Sequence, residues 1–185
     1  MSMRKLIVCL GLSTLIVGVN SVSAAVKSSV GSNSQIAPSR DIAIAAADQT
    51  AVAKKTNALL IANGALARKI AAHIGVEISP KEPPAGDVFQ QNLFLILQNQ
   101  DTFRAIAAKV GAGAAPAGAV EGADQSEKNH SILLTNKKIV GAILKKLGIT
   151  PTPPTLTGTF EEKNVTLLMG NRKALDKIAE KLGVK

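Results

Sequence analysis

The sequence predicts an all-α domain of four long amphipathic helices, one per internal repeat of about 36 residues, joined by Pro-containing linkers as a bundle or array. Three observations carry this expectation. An asparagine, an isoleucine seven residues later and a glycine twelve residues later recur four times along the chain. In three of the repeats a helix-capping residue stands twelve positions before the asparagine. Between the repeats lie segments of 10 to 12 residues, each holding proline: "VEISPKEPPAG", "AGAAPAGAVEGA" and "ITPTPPTLTG".

The chain opens on a leader. Arg4 and Lys5 precede the apolar run "LIVCLGLSTLIVG" (Leu6–Gly18), which is too short to cross a bilayer, and Val22–Ala24 supplies small residues for cleavage. Residues 1–24 are expected to be a secretory signal peptide, directing the protein to the periplasm or the exterior. Val8 ahead of Cys9 and the continuing apolar run argue against a lipoprotein site. Cleavage removes the only cysteine, so neither a disulfide nor thiol chemistry is expected. It leaves about 160 residues, enough for one domain held by packing alone. Residues 25–40, "AVKSSVGSNSQIAPSR", are Ser-rich and are expected to form a disordered lead-in. A single helical repeat domain is expected over 41–185, with repeats at about 49–80, 87–122, 124–157 and 159–185.

Asn63, Asn99, Asn136 and Asn171 define position 0 of the repeats, spaced by 36, 37 and 35 residues. Ile70, Ile106, Ile143 and Ile178 occupy +7, and Gly75, Gly111, Gly148 and Gly183 occupy +12. The first helix follows the Ala-rich "RDIAIAAADQTAVAKK" and has no capping box, so it is expected to begin near Asp41 and run longer than the rest. The other three are expected to start at Asp87, Asp124 and Thr159, each followed three residues later by Gln90, Glu127 or Glu162 as the returning half of a capping box. Glycine at +12, after a basic last turn, is the stop signal. The span between start and stop gives helices of roughly 23 residues and about 35 Å. "VTLLMGN" (Val165–Asn171) could by itself open a strand, but the caps upstream of it favour one continuous helix.

Placing the central asparagine at an a-type heptad position makes −3, +4 and +11 an apolar seam: Ile96, Phe103 and Val110 in the second repeat, Leu133, Val140 and Leu147 in the third, Leu168, Leu175 and Leu182 in the fourth. The a-type positions read Asn92, Asn99, Ile106, then Asn129, Asn136, Ile143, then Asn164, Asn171, Ile178, with Thr56, Asn63, Ile70 in the first repeat. Equivalent helix faces are expected to pack together, with asparagine meeting asparagine at equal heights and fixing register. The same amides, if unpaired, would instead line a ligand site between the helices. The "NHS" and "NVT" acceptor patterns at Asn129 and Asn164 belong to this seam, so they read as coincidental glycosylation matches. All four phenylalanines, Phe89, Phe94, Phe103 and Phe160, are candidates for the core.

The whole chain carries a formal charge of +9, reduced by two when Arg4 and Lys5 leave with the signal. Basic residues gather in the final turns, and Lys145, Lys146, Lys177 and Lys181 are the candidate contacts for an anionic partner. Parallel helices would place all these ends at one pole, but each linker would then have to return about 35 Å, close to its full reach at about 3.3 Å per residue. Antiparallel neighbours need far less and are the expected order.

Catalytic chemistry has little to stand on. His73 and His130 fall at different repeat positions with no carboxylate pair beside them, no phosphate loop or nucleophile elbow is written, and no metal or other cofactor is implied. The chain has no Trp and no Tyr, so the stacking platform that grips single-stranded nucleic acid is missing and no specific nucleic-acid partner is expected. No segment after the signal is apolar enough to span a membrane. The period is near that of two-helix repeats, but one long helix per period departs from their signatures. The expected function is that of a non-enzymatic, exported structural or binding protein of a bacterial-type cell envelope or exterior, as a subunit of an envelope or secretion assembly or as a host-facing factor. Its expected partner is a protein or an anionic envelope surface, with self-association also open. The alternative is a small-ligand carrier or enzyme using the Asn-lined core.

Overall fold

The last three helices begin where a side chain takes up free backbone amides, and all four end on a glycine turn whose amides take up free carbonyls. The computed structural model describes residues 40–113 and 120–184, with side chains from residue 49 onward. The expected signal peptide and the lead-in up to Pro38 and Ser39 lie outside the described residues. Four helices form: α1 (Arg40–His73), α2 (Val88–Lys109), α3 (Gln125–Lys146) and α4 (Phe160–Leu182). No strand occurs among the described residues. The last three helices have 22, 22 and 23 residues, and α1, with 34, starts twelve residues earlier in the repeat than the others.

Asp87 accepts from the Phe89 and Gln90 amides at 2.9 Å, and Asp124 accepts from the Glu127 amide at 2.8 Å. The full capping box closes only in α4, where the Glu162 amide donates to Thr159 Oγ1 and the Thr159 amide donates to Glu162 Oε2. In α3 Glu127 reaches one residue further back, to the Ala123 amide, and in α2 it is Gln91 that returns, donating to the Gly86 carbonyl. At the other end all four helices stop alike. Gly75, Gly111, Gly148 and Gly183 have φ between 70° and 75°. The next residue then donates back over the turn: Val76 to Ala71, Ala112 to Ala107, Ile149 to Leu144 and Val184 to Ala179, at 2.8–2.9 Å. This is the Schellman arrangement, with its apolar residue after the glycine folded against the core.

The helices form a closed square. α1 packs on α2 and α4, and α3 packs on α2 and α4, while the diagonal pairs do not approach. One apolar cluster joins Leu60 of α1 to Ile96, Leu133 and Leu168, all at −3. A second joins Ile70, Ile106, Ile143 and Ile178, all at +7 and all fully buried. N-terminal halves therefore meet N-terminal halves, and the four helices run parallel. The antiparallel order expected from linker reach is corrected: the extended linkers do span the length of the bundle. Gln98 in mid-α2 donates to the Lys81 carbonyl of the first linker at 2.9 Å, and Leu156 of the third linker packs on the −3 cluster. Among the phenylalanines Phe103 is buried, Phe94 packs partly buried on the −3 cluster, and Phe89, in the first turn of α2, is exposed rather than in the core.

Candidate functional site

All seven candidate asparagines are inside. Asn63, Asn92, Asn99, Asn129, Asn136, Asn164 and Asn171 are between 1% and 7% exposed. The four central ones lie between the −3 and +7 apolar clusters. They do not pair with one another, as the sequence led one to expect. Asn99 Nδ2 donates to the Leu60 carbonyl of α1 at 2.9 Å, Asn136 Nδ2 to the Ile96 carbonyl of α2 at 3.3 Å, and Asn63 Nδ2 to the Leu168 carbonyl of α4 at 2.9 Å. Each bond thus runs from position 0 of one helix to the −3 carbonyl of a neighbour in the square, and the third closes α1 onto α4. The physical reason is the parallel order. Helical carbonyls point toward the C-terminus, so the −3 carbonyl rises to the height of position 0. Its second lone pair is free for a side-chain donor. Asn171 makes no hydrogen bond to the matching Leu133 carbonyl.

The same rule holds one heptad below. Asn92 Nδ2 donates to the Ala53 carbonyl at 3.0 Å and Asn164 Nδ2 to the Ser126 carbonyl at 3.2 Å. Asn129 accepts from Gln125 within its own helix, and Asn164 Oδ1 lies 2.9 Å from His130 Nδ1. Burial and these bonds account for both glycosylation-like asparagines as structural residues. The Oδ1 atoms of Asn63, Asn92, Asn99 and Asn136 are buried without a donor. Each such atom costs about 1–3 kcal/mol in lost hydration. Asn99 Oδ1 rests against Gly64 of α1, where a Cβ would come within 2.4 Å of it.

The basic residues meet at the opposite feature of the molecule, the pole where all four helices end. Lys145, Lys146, Lys177 and Lys181 are exposed there. Lys109, a final-turn lysine not among the candidate contacts, belongs with them through a regularity of the repeat: position +10 holds His73, Lys109, Lys146 and Lys181. Lys109 Nζ lies 3.9 Å from where a Cβ on Gly75 would stand, and Lys146 Nζ lies 3.8 Å from the same point on Gly111. Each lysine therefore leans over the C-terminal glycine of the preceding helix, where free carbonyls carry partial negative charge. Among the described residues the single ion pair is Arg172–Asp176 at 3.1 Å, so these lysines have no carboxylate partner. Glu77, Asp176 and Glu180 are the acidic residues near this pole. The opposite pole carries Asp87, Asp124, Glu127, Glu161 and Glu162. There Ser126 donates to Glu161, which holds that carboxyl below its ordinary range.

No group of three or more His, Cys, Asp or Glu that could hold a metal occurs among the described residues. No described helix is long and apolar enough to cross a membrane. His130 is taken up by Asn164 and by an edge contact with Phe160 at 5.3 Å, and His73 stands at the basic pole. No family model, curated protein or solved structure matches the chain.

Proposed function

We propose that this is a non-enzymatic, exported binding protein of a cell envelope or exterior that docks an anionic surface through the C-terminal pole of its bundle. One observation carries the reading: parallel order collects Lys109, Lys145, Lys146, Lys177 and Lys181 at one end, unpaired with carboxylates. A cationic face of this kind attracts acidic headgroups at low ionic strength and releases them as salt screens the field. A few uncompensated lysines near an anionic membrane supply about 1 kcal/mol each. The Asn-lined core offers less to a ligand, because five of its amide nitrogens are spent on backbone carbonyls of neighbouring helices.

Vesicle co-sedimentation tests the proposal. The protein without its leader is expected to bind vesicles containing phosphatidylglycerol, not vesicles of phosphatidylcholine alone, and to be released by salt. The variant Lys145→Gln/Lys146→Gln/Lys181→Gln is expected to lose binding while keeping a cooperative melt, lowered only by the lost helix-end charges. Equal binding to neutral vesicles, or retention in the triple variant, would overturn it.

A further inference from the structure

The basic pole is not the only unexplained surface. A cavity of about 510 Å³ lies between the third linker and one stripe of α4. Thr166, Met169, Gly170, Lys173, Ala174 and Lys177 form the stripe, Thr150–Thr155 forms the opposite wall, and Leu144 of α3 reaches the base. This volume falls in the usual range for small-molecule sites.

The cavity exists because the third linker stands away from the helix it follows. The first linker is tied to α2 by Gln98 and Lys81, and the second to α3 by the Glu121 amide and Ser131 Oγ at 3.1 Å. The third, "TPTPPT" over 150–155, makes no hydrogen bond to a helix. Three of its six residues are prolines, which hold it extended and remove three donors. The space behind it is thus held open by stiff chain.

Two features of the helical wall serve no folding purpose that the packing reveals. Gly170 sits in the middle of α4, where the other repeats have Ala62, Gln98 and Thr135. A Cβ there would meet nothing within 4 Å, so no neighbour demands glycine, although glycine weakens a helix interior. Its missing side chain deepens the cavity floor. Lys173 and Lys177 stand one turn apart on the rim, both exposed and neither paired with a carboxylate. Like charges at this spacing repel and also weaken the helix. Met169, 46% exposed, adds a flexible apolar wall of the type that adapts to varied ligands.

We infer that this cavity binds a small amphipathic anion, with its aliphatic chain against Leu144, Met169 and the Gly170 floor and its carboxylate or phosphate between Lys173 and Lys177. A free fatty acid and the acyl chain of a single-chain lipid share this chemistry. The site shares Lys177 with the basic pole, but its inference does not depend on the docking proposal, whose variant leaves Lys177 unchanged.

Isothermal titration of the protein without its leader against decanoate, kept below its micelle concentration, tests the assignment. Decanoate is expected to bind saturably. Decanol, lacking the head, and acetate, lacking the chain, are each expected to bind at least tenfold more weakly. Lysophosphatidylglycerol in a parallel titration distinguishes the lipid source from the free acid, and saturable binding of either supports the site. Gly170→Leu fills the floor while raising helix propensity, and is expected to abolish binding with no loss of melting temperature. Lys173→Gln/Lys177→Gln is expected to weaken binding at least tenfold without changing the fold. No binding by either ligand, decanol binding as tightly as decanoate, or binding that survives Gly170→Leu would overturn the inference.

Discussion

In the C-terminal half of the bundle, Ile70, Ile106, Ile143 and Ile178 meet at full burial, surrounded by Ala67, Phe103, Val140 and Leu175. In the N-terminal half the same heptad position holds Thr56, Asn92, Asn129 and Asn164, and the apolar cluster is smaller. The two halves divide the work of one fold. Apolar layers supply burial free energy, but that term is nearly indifferent to a helix sliding or rotating by a fraction of a turn. An amide that must reach one particular carbonyl is not indifferent. Asn63, Asn99 and Asn136 stand between the halves and convert a greasy seam into a fixed register. They do so at the cost of buried oxygens left without donors.

The comparison can be broken most severely at the apolar end. Ile143→Ala removes a fully buried side chain shared by all four helices, and is expected to cost about 2–5 kcal/mol in urea unfolding. The corresponding change in the polar layer, Asn164→Ala, should cost clearly less. If the two were equal, the division between halves would be wrong.

A second test asks whether an asparagine is truly wedged against its neighbour. Gly64→Ala places a Cβ 2.4 Å from Asn99 Oδ1 and must push the amide off the Leu60 carbonyl. A loss of about 1–3 kcal/mol is expected. In an Asn99→Ala background the same change should instead stabilise by about 0.5–1 kcal/mol, the ordinary gain of Ala over Gly in a helix. Gly141→Ala serves as the control, since its Cβ meets nothing within 4 Å and should stabilise in either background.

A third test sharpens what kind of layer the asparagines make. Because they donate to backbone carbonyls and not to each other, Asn99→Leu and Asn136→Leu should each shift stability by about 1 kcal/mol. Their effects should add within about 0.5 kcal/mol in a double-mutant cycle. Strong coupling would restore the side-chain ladder that the sequence suggested. Loss of register should appear separately, as a less cooperative melt in the triple variant that adds Asn63→Leu.

The smallest effect lies at the acidic pole. Ser126 holds the Glu161 carboxyl below its ordinary range, so the contact stabilises the fold above the ordinary carboxylate range. That contribution fades as pH falls through the lowered value. Ser126→Ala should flatten this limb of the stability–pH curve slightly, as befits a half-buried carboxylate still screened by solvent. An unchanged acid limb would show that the contact carries no weight in solution.

The helices themselves were legible because their signals are local. Asp87, Asp124 and Thr159 cap where the sequence places them, and the four +12 glycines take the left-handed turn. Their direction was not, because linkers of 10 to 12 residues permit either order and chain economy favours the shorter path. A signal was nonetheless written. Antiparallel neighbours would set the asparagines at −7 against the isoleucines at +7, whereas parallel neighbours match polar with polar and apolar with apolar. The burial of the asparagines was likewise readable, but not their acceptors, since carbonyl height depends on helix direction. The cavity beside α4 left only one trace in the sequence, a glycine at −1 where the other repeats carry side chains. Its walls come from the stand-off of a proline-rich segment, which no single-repeat pattern encodes.

The bond from Asn63 to the Leu168 carbonyl has a consequence for chain order. It makes the contact between the outermost helices equivalent to those of α1 with α2 and of α2 with α3, so the gap between the first and last helix is no privileged seam. Which helix is translated first is then a matter of genetic bookkeeping alone. A circular permutant that joins Val184 to Ala51 through a copy of the first linker, and opens between α2 and α3, should reach the same native arrangement. Connectivity would have been rewritten while Asn63, Asn92, Asn99, Asn136 and Asn164 still donated to the carbonyls they meet now.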